Sequence, residues 1–146
     1  MTEYDKFKNM AIEVAKKAHA GQTDKGGEPY FFHVQRVANS LTDKNSKVVA
    51  YLHDTVEDTD ITIEKLKELG FSDTIVSAVQ VLTQERYQPY FDYIVEIKKN
   101  KLATMVKLAD LKDNMNLSRI TTPTEKDFER VKKYQKAFKI LELEGE

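Results

Sequence analysis

The apolar run Val48-Val49-Ala50-Tyr51-Leu52 leads straight into His53-Asp54-Thr55-Val56-Glu57-Asp58. Any fold of this chain must bury the first segment while accommodating the second. The apolar run predicts a buried helix. Continued onward, that helix pairs His53 with Glu57 and Asp54 with Asp58 at i,i+4. One imidazole and three carboxylates then share one side of two successive turns. Carboxylates this close repel one another unless a cation or water offsets them. The stretch is therefore either an exposed acidic helix end or part of a site.

The remaining segments read as helices too. Phe7, Ala11, Val14, Ala15 and Ala18 form one apolar stripe over residues 5–20, and Gly21 ends it. His19, in the last turn, is expected to be structural or to interact with the helix dipole. Residues 22–28 form a polar loop, by composition first an ordinary connector, in which Gly26 and Gly27 would also let the backbone approach a ligand. Pro29 opens a helix through His33 to about Ser40, with Phe32, Val37 and Leu41 as apolar contacts. Thr62 and Ser72 cap helices over 63–69 and up to Leu82. Pro89 begins another to about Asn100, in a region where Tyr87, Tyr90, Phe91 and Tyr93 are read as packing residues. Residues 101–120 place Lys107, Asp110 and Asn114 on one helix face. Phe128, Val131, Tyr134, Phe138 and Leu141 give the last helix an apolar seam. No segment alternates as a strand. The expectation is one all-α domain over residues 1–146, a bundle of about eight helices.

Composition narrows the chemistry. Charged residues are 32% and hydrophobic residues 40% of the 146, an ordinary balance for a soluble domain. The net charge of -1 offers no basic field for nucleic acid. The absence of cysteine excludes disulfides, thiolate nucleophiles and Cys-based zinc sites. No signal-like or membrane-length apolar segment is present, so a cytoplasmic setting without a membrane partner is expected. The aromatic-rich helices are compatible with a homodimer.

A metal site must therefore draw on His, Asp, Glu or carbonyl oxygens. His33, His53, Asp54 and Asp110 lie on three separate helices. They form a mixed nitrogen and oxygen donor set suited to Mn, Fe, Co or Zn, if the fold brings them together. A carboxylate such as Asp110 after an apolar stretch needs a partner, and either a metal or Lys107 meets that need.

The order His33, then His53-Asp54, then a distant Asp110 resembles the H…HD…D signature of the HD-domain metal-dependent phosphohydrolases. Longer strings strengthen the likeness: Ala18-His19-Ala20-Gly21-Gln22, Gly27-Glu28-Pro29-Tyr30-Phe31-Phe32-His33, His53-Asp54-Thr55-Val56-Glu57-Asp58-Thr59 and Lys107-Leu108-Ala109-Asp110. They resemble the hydrolase domain of the RelA/SpoT alarmone family, especially its small single-domain Mesh1-like members, over about residues 7–117. The resemblance implies an all-α fold with the metal between helices. It implies that His33, His53, Asp54 and Asp110 bind one Mn²⁺ or another divalent transition metal. Glu57 and Asp58 become the catalytic acid/base pair, while Asn114 and Lys25 contact a small-molecule nucleotide. A charged pyrophosphate also needs cations, which makes Lys107 either a further substrate contact or a structural partner of Asp110. The implied reaction removes the 3′-pyrophosphate of guanosine 3′-diphosphate 5′-di- or triphosphate, (p)ppGpp.

Four positions depart from the family pattern. Asp24 replaces an Arg that packs on guanine, Val34 replaces a Pro, Leu117 replaces a Thr of the nucleotide pocket, and Asn116 stands where a basic residue is common. The metal and acid/base groups match, whereas the base-reading groups differ. Two alternatives follow: an HD phosphohydrolase of another nucleotide or dinucleotide phosphate, and a non-catalytic nucleotide- or metal-sensing module. No synthetase segment follows, so alarmone synthesis is not expected.

Overall fold

The computed structural model describes residues 1–142. These residues form α1 (Glu3–Ala18), α2 (Tyr30–Asn39), α3 (Lys44–Leu52), α4 (Thr55–Asp58), α5 (Ile63–Glu68), α6 (Asp73–Leu82), α7 (Tyr90–Lys98), α8 (Lys101–Asn114) and α9 (Glu125–Glu142). A 3-10 turn at Leu117–Arg119 joins α8 to α9. Among the described residues there is no strand, only an isolated bridge between Thr23 and Pro29. The all-α expectation holds.

The helices start where short polar side chains can cover their free amides. Thr62 accepts from the Lys65 amide at 3.0 Å and Ser72 from the Ile75 amide at 3.3 Å, as expected. Pro29 and Pro89 sit just before α2 and α7, one position earlier than a first-turn proline.

The expected helix over 46–58 is two helices. The chain breaks at His53-Asp54, where Asp54 takes φ -104° and ψ -1°. Side chains stabilise the break. His53 Nδ1–H donates to the Ala50 carbonyl at 2.6 Å, and Thr55 Oγ1 donates to the Leu52 carbonyl at 2.8 Å. Both are carbonyls a helix end leaves without an amide donor. Consequently α4 is a separate single turn, and the i,i+4 pairing of His53 with Glu57 does not lie on one continuous helix.

Helix α3 is the centre of the bundle. Val48, Val49, Ala50, Tyr51 and Leu52 are all buried, and α1, α2, α6 and α8 pack around them. Helix α8 lies against α3 and also against α2, α6, α7 and α9. Enclosure on several sides explains how a charged residue on it, Asp110, becomes buried. Three apolar expectations need correcting. Phe32 and Phe128 face outward, and their helices bury Val34, Val37 and Ala38, and Ala137 and Leu141, instead. Tyr87 is 85% exposed, whereas Tyr93 packs inside.

Candidate metal centre and adjoining cavity

His33 on α2, Asp110 on α8, and His53-Asp54 at the α3–α4 break converge. Each offers one ligand atom, and the four atoms lie within 4.8 Å of one another. His33 Nε2 is 2.8 Å and His53 Nε2 3.2 Å from Asp110 Oδ1, while His53 Nε2 is 3.1 Å from Asp54 Oδ2. Ligands held about 2.1 Å from one ion at right angles are separated by about 3.0 Å. The donor spacing therefore fits a single transition-metal ion.

The second nitrogen of each ring is already committed. His53 Nδ1–H is donated to the Ala50 carbonyl, and His33 Nδ1 lies 2.6 Å from Asp113 Oδ2. With Nδ1 carrying the proton, Nε2 presents its lone pair to the cluster, as metal-binding imidazoles do. Lone pairs aimed at carboxylates demand either a proton or a cation. Burial opposes a charged His33 ring, but hydrogen bonds to Asp110 and Asp113 outweigh it and hold the pKa up to about 9. Burial likewise opposes ionisation of Asp54, yet the His53 charge brings its pKa down to about 2.

Other groups complete the shell. The Tyr30 hydroxyl donates to Asp54 Oδ2. Lys107 Nζ donates to Asp110 Oδ2 at 3.0 Å, and Asn114 Nδ2 to Asp110 Oδ1 at 3.3 Å. The shared face expected for Lys107, Asp110 and Asn114 is present, with Lys107 turned to Asp110 and 5.3 Å from the Tyr93 ring centre. Glu57 and Asp58 project from α4 beside the cluster. Glu57 Oε1 accepts the Gln84 amide at 2.7 Å. Lost hydration first, then the Asp54 charge, raises both carboxyl pKa values above the ordinary range, although the Gln84 bond offsets part of this for Glu57. Buried His19 donates or accepts at Nδ1 with Gln22 Oε1, 2.9 Å away, and Gln22 Nε2 reaches the Asp58 carbonyl at 3.3 Å.

A cavity of about 410 Å³ adjoins the cluster through His33 and Tyr30. Lys25, Arg36, Arg119 and Arg130 bring cationic groups to it, and Asn114 lines it. Its loop wall is held tightly. Asp24 Oδ1 accepts the amides of Gly26 and Glu28 at 2.9 and 3.0 Å. Gly26 comes so close to the 3-10 turn that a Cβ there would stand 2.6 Å from the Arg119 carbonyl oxygen. The Asp24 carboxylate is thus engaged by its own loop.

Sequence reasoning did not single out Tyr30, Arg36, Asp113, Arg119 or Arg130. Two left a usable trace: Arg36 follows His33, and Asp113 follows Asp110, by one helical turn. Arg119 and Arg130 left none, because their positions depend on how the 3-10 turn and α9 fold back.

Fold and site together define a helical domain organised around a His/Asp metal-type centre with a basic cavity beside it. An HD-domain family profile matches residues 11–115. The chain is 34% identical over 117 residues to the guanosine-3′,5′-bis(diphosphate) 3′-pyrophosphohydrolase of Aquifex aeolicus, covering 72% of this chain and 17% of that protein. It is 37% identical over 122 residues to the GTP pyrophosphokinase of Myxococcus xanthus, covering 72% and 16%. The chain spans about a sixth of the length of these curated relatives. A solved structure of a metazoan ortholog of SpoT, described as hydrolysing ppGpp and acting in starvation responses, superposes with a TM-score of 0.77 at 25% identity, covering 92% of this chain and 84% of that one. The chain belongs to the HD-domain family and is homologous to the SpoT/RelA proteins.

Proposed function

We propose that this chain is a metal-dependent phosphohydrolase that uses Mn²⁺ to remove the 3′-pyrophosphate of (p)ppGpp. The observation that carries this reading is the direct junction between the four-donor cluster and a cavity lined by Lys25, Arg36, Arg119 and Arg130. A nucleotide bearing pyrophosphate groups needs both an electrophile-activating centre and cations along its length. The relatives named above include a 3′-pyrophosphohydrolase and a SpoT ortholog described as hydrolysing ppGpp.

In this proposal His33, His53, Asp54 and Asp110 hold the ion. A divalent ion there would lower the pKa of water and polarise a phosphoryl oxygen. Glu57 and Asp58 exchange protons with the attacking water and the leaving pyrophosphate. Their raised proton affinity suits that task, and the Gln84 amide fixes Glu57. Tyr30 orients Asp54 by its hydrogen bond. Lys107 balances Asp110 from within the protein, so its contribution to substrate is through that carboxylate. Lys25 and Asn114, which both line the cavity, contact the nucleotide. The substrate is a free nucleotide in the cytoplasm.

A second reading, hydrolysis of another nucleotide, is favoured by Asp24. Its carboxylate is spent on loop amides and supplies no cation to pack on guanine. One assay separates the readings: purified protein with Mn²⁺, guanosine tetraphosphate and a nucleotide panel. Pyrophosphate release from the alarmone is expected. Turnover of a different nucleotide alone would establish the second reading. Tight nucleotide binding without any turnover would identify a sensor.

A further inference from the structure

Asp113 lies outside the four-donor cluster, one turn beyond Asp110 on α8. Its carboxylate takes part in four hydrogen bonds with three different side chains. Oδ2 receives His33 Nδ1–H at 2.6 Å. Arg36 donates from Nε to Oδ1 at 2.9 Å and from Nη2 to Oδ2 at 3.1 Å, a forked pairing. Arg119 Nη2 reaches Oδ2 at 3.3 Å and the Asp113 carbonyl at 3.2 Å. The side chain is 14% exposed, so solvent screens these contacts little. Arg36, Arg119 and His33 all line the cavity.

One carboxylate thus bridges a ring of the donor cluster and two guanidiniums that line the cavity. The arrangement also addresses the departure at Asn116. Positive charge reaches this wall from Arg119, in the 3-10 turn, and Asp113 holds it there.

We propose that Asp113 is a positioning residue that ties the metal centre to the cavity, fixing the His33 ring for ion binding and aligning Arg36 and Arg119 along the anion path. The proposal rests on the metal-centre reading above. A carboxylate behind a ligating imidazole fixes the ring orientation and raises its basicity, and its loss typically weakens metal affinity about 10- to 100-fold. Arg36 acts on the ring only through Asp113, so its influence on the metal disappears when Asp113 is gone.

The test is calorimetric titration of Mn²⁺ into the metal-free 146-residue chain, without substrate. Asp113→Ala should weaken Mn²⁺ binding about 10- to 100-fold. Asp113→Asn, which keeps an oxygen for Nδ1–H but loses the charge, should fall between wild type and Asp113→Ala. Arg36→Ala should weaken binding several-fold in the wild-type background and not at all in Asp113→Ala, a non-additive cycle. Titration of inorganic pyrophosphate into the same proteins should show weaker binding in Arg36→Ala and Arg119→Ala. Unchanged Mn²⁺ affinity in the Asp113 variants would overturn the proposal while leaving the metal centre standing, as would additive losses in the cycle. If Asp113→Ala does not fold, wild-type affinity in Asp113→Asn overturns it equally. A wild-type protein that binds no Mn²⁺ overturns the metal-centre reading itself and this proposal with it.

Discussion

In the proposed function, four side chains divide two kinds of work within the space of six residues. His53 and Asp54 face the donor cluster, whereas Glu57 and Asp58 stand beside it on their own turn. The separation predicts opposite phenotypes. Asp54→Ala should lose bound metal, measured by elemental analysis of protein purified with Mn²⁺. Glu57→Ala should keep its metal and lose turnover by ~100- to 10,000-fold. Equal metal loss in both variants would show that Glu57 is a ligand.

The imidazoles also make a pH prediction for the metal-free protein. The folded pKa of His33 is about 9 against an ordinary 6.5. A raised folded pKa means that its stabilisation is complete below about 6.5 and is lost as pH rises through about 9. Asp54, held at about 2, works in the other direction, losing its contribution only as pH falls below 3.8 toward 2. In chelator, thermal unfolding should therefore occur at lower temperature as pH is raised from about 6.5 to about 9. Mn²⁺ should flatten that dependence, because the ion takes the place of the proton on Nε2. A melting temperature independent of pH in chelator would contradict the assigned hydrogen-bond network.

Among the elements, those built by local signals were legible in the sequence. Thr62 and Ser72 announce α5 and α6, and the apolar run 48–52 announces α3. The division of α3 from α4 was not legible. Periodicity continues across it, and the break depends on His53 and Thr55 turning back onto the Ala50 and Leu52 carbonyls. The four donors were recognisable as residue types, but their convergence depends on α2 and α8 packing against α3. The cavity was least legible, since Arg119 and Arg130 reach it through a 3-10 turn and a returning helix. That turn and the 24–28 loop form a tight joint at Gly26. Gly26→Ala should force them apart, raising KM for the nucleotide several-fold while leaving Mn²⁺ affinity as in wild type. Steady-state kinetics and metal titration check the two halves of that expectation.

Over the whole molecule, near-neutral net charge conceals a local gathering of cations. The chain carries -1 overall, yet Lys25, Arg36, Arg119 and Arg130 surround one cavity. Asp113 and Asp127 pair with the three guanidiniums and, with Asp24 also lining the cavity, offset part of that charge. Binding of a polyanionic nucleotide should therefore weaken steadily with salt, because mobile ions screen exposed charges beyond ~10 Å at 0.1 M. Nucleotide titrations from about 0.05 to 0.5 M salt measure this directly, and a salt-independent Kd would argue against an electrostatic cavity.

The hydrogen bond from His53 to the Ala50 carbonyl has one more consequence. It belongs to the end of the central helix, so the ring is set in place by the same event that forms the core. A divalent ion would then be cargo that a finished scaffold could accept, release and accept again. If the proposed function holds, such a scaffold would let the supply of a divalent ion set how much of the chain is active, with no need to make or destroy protein.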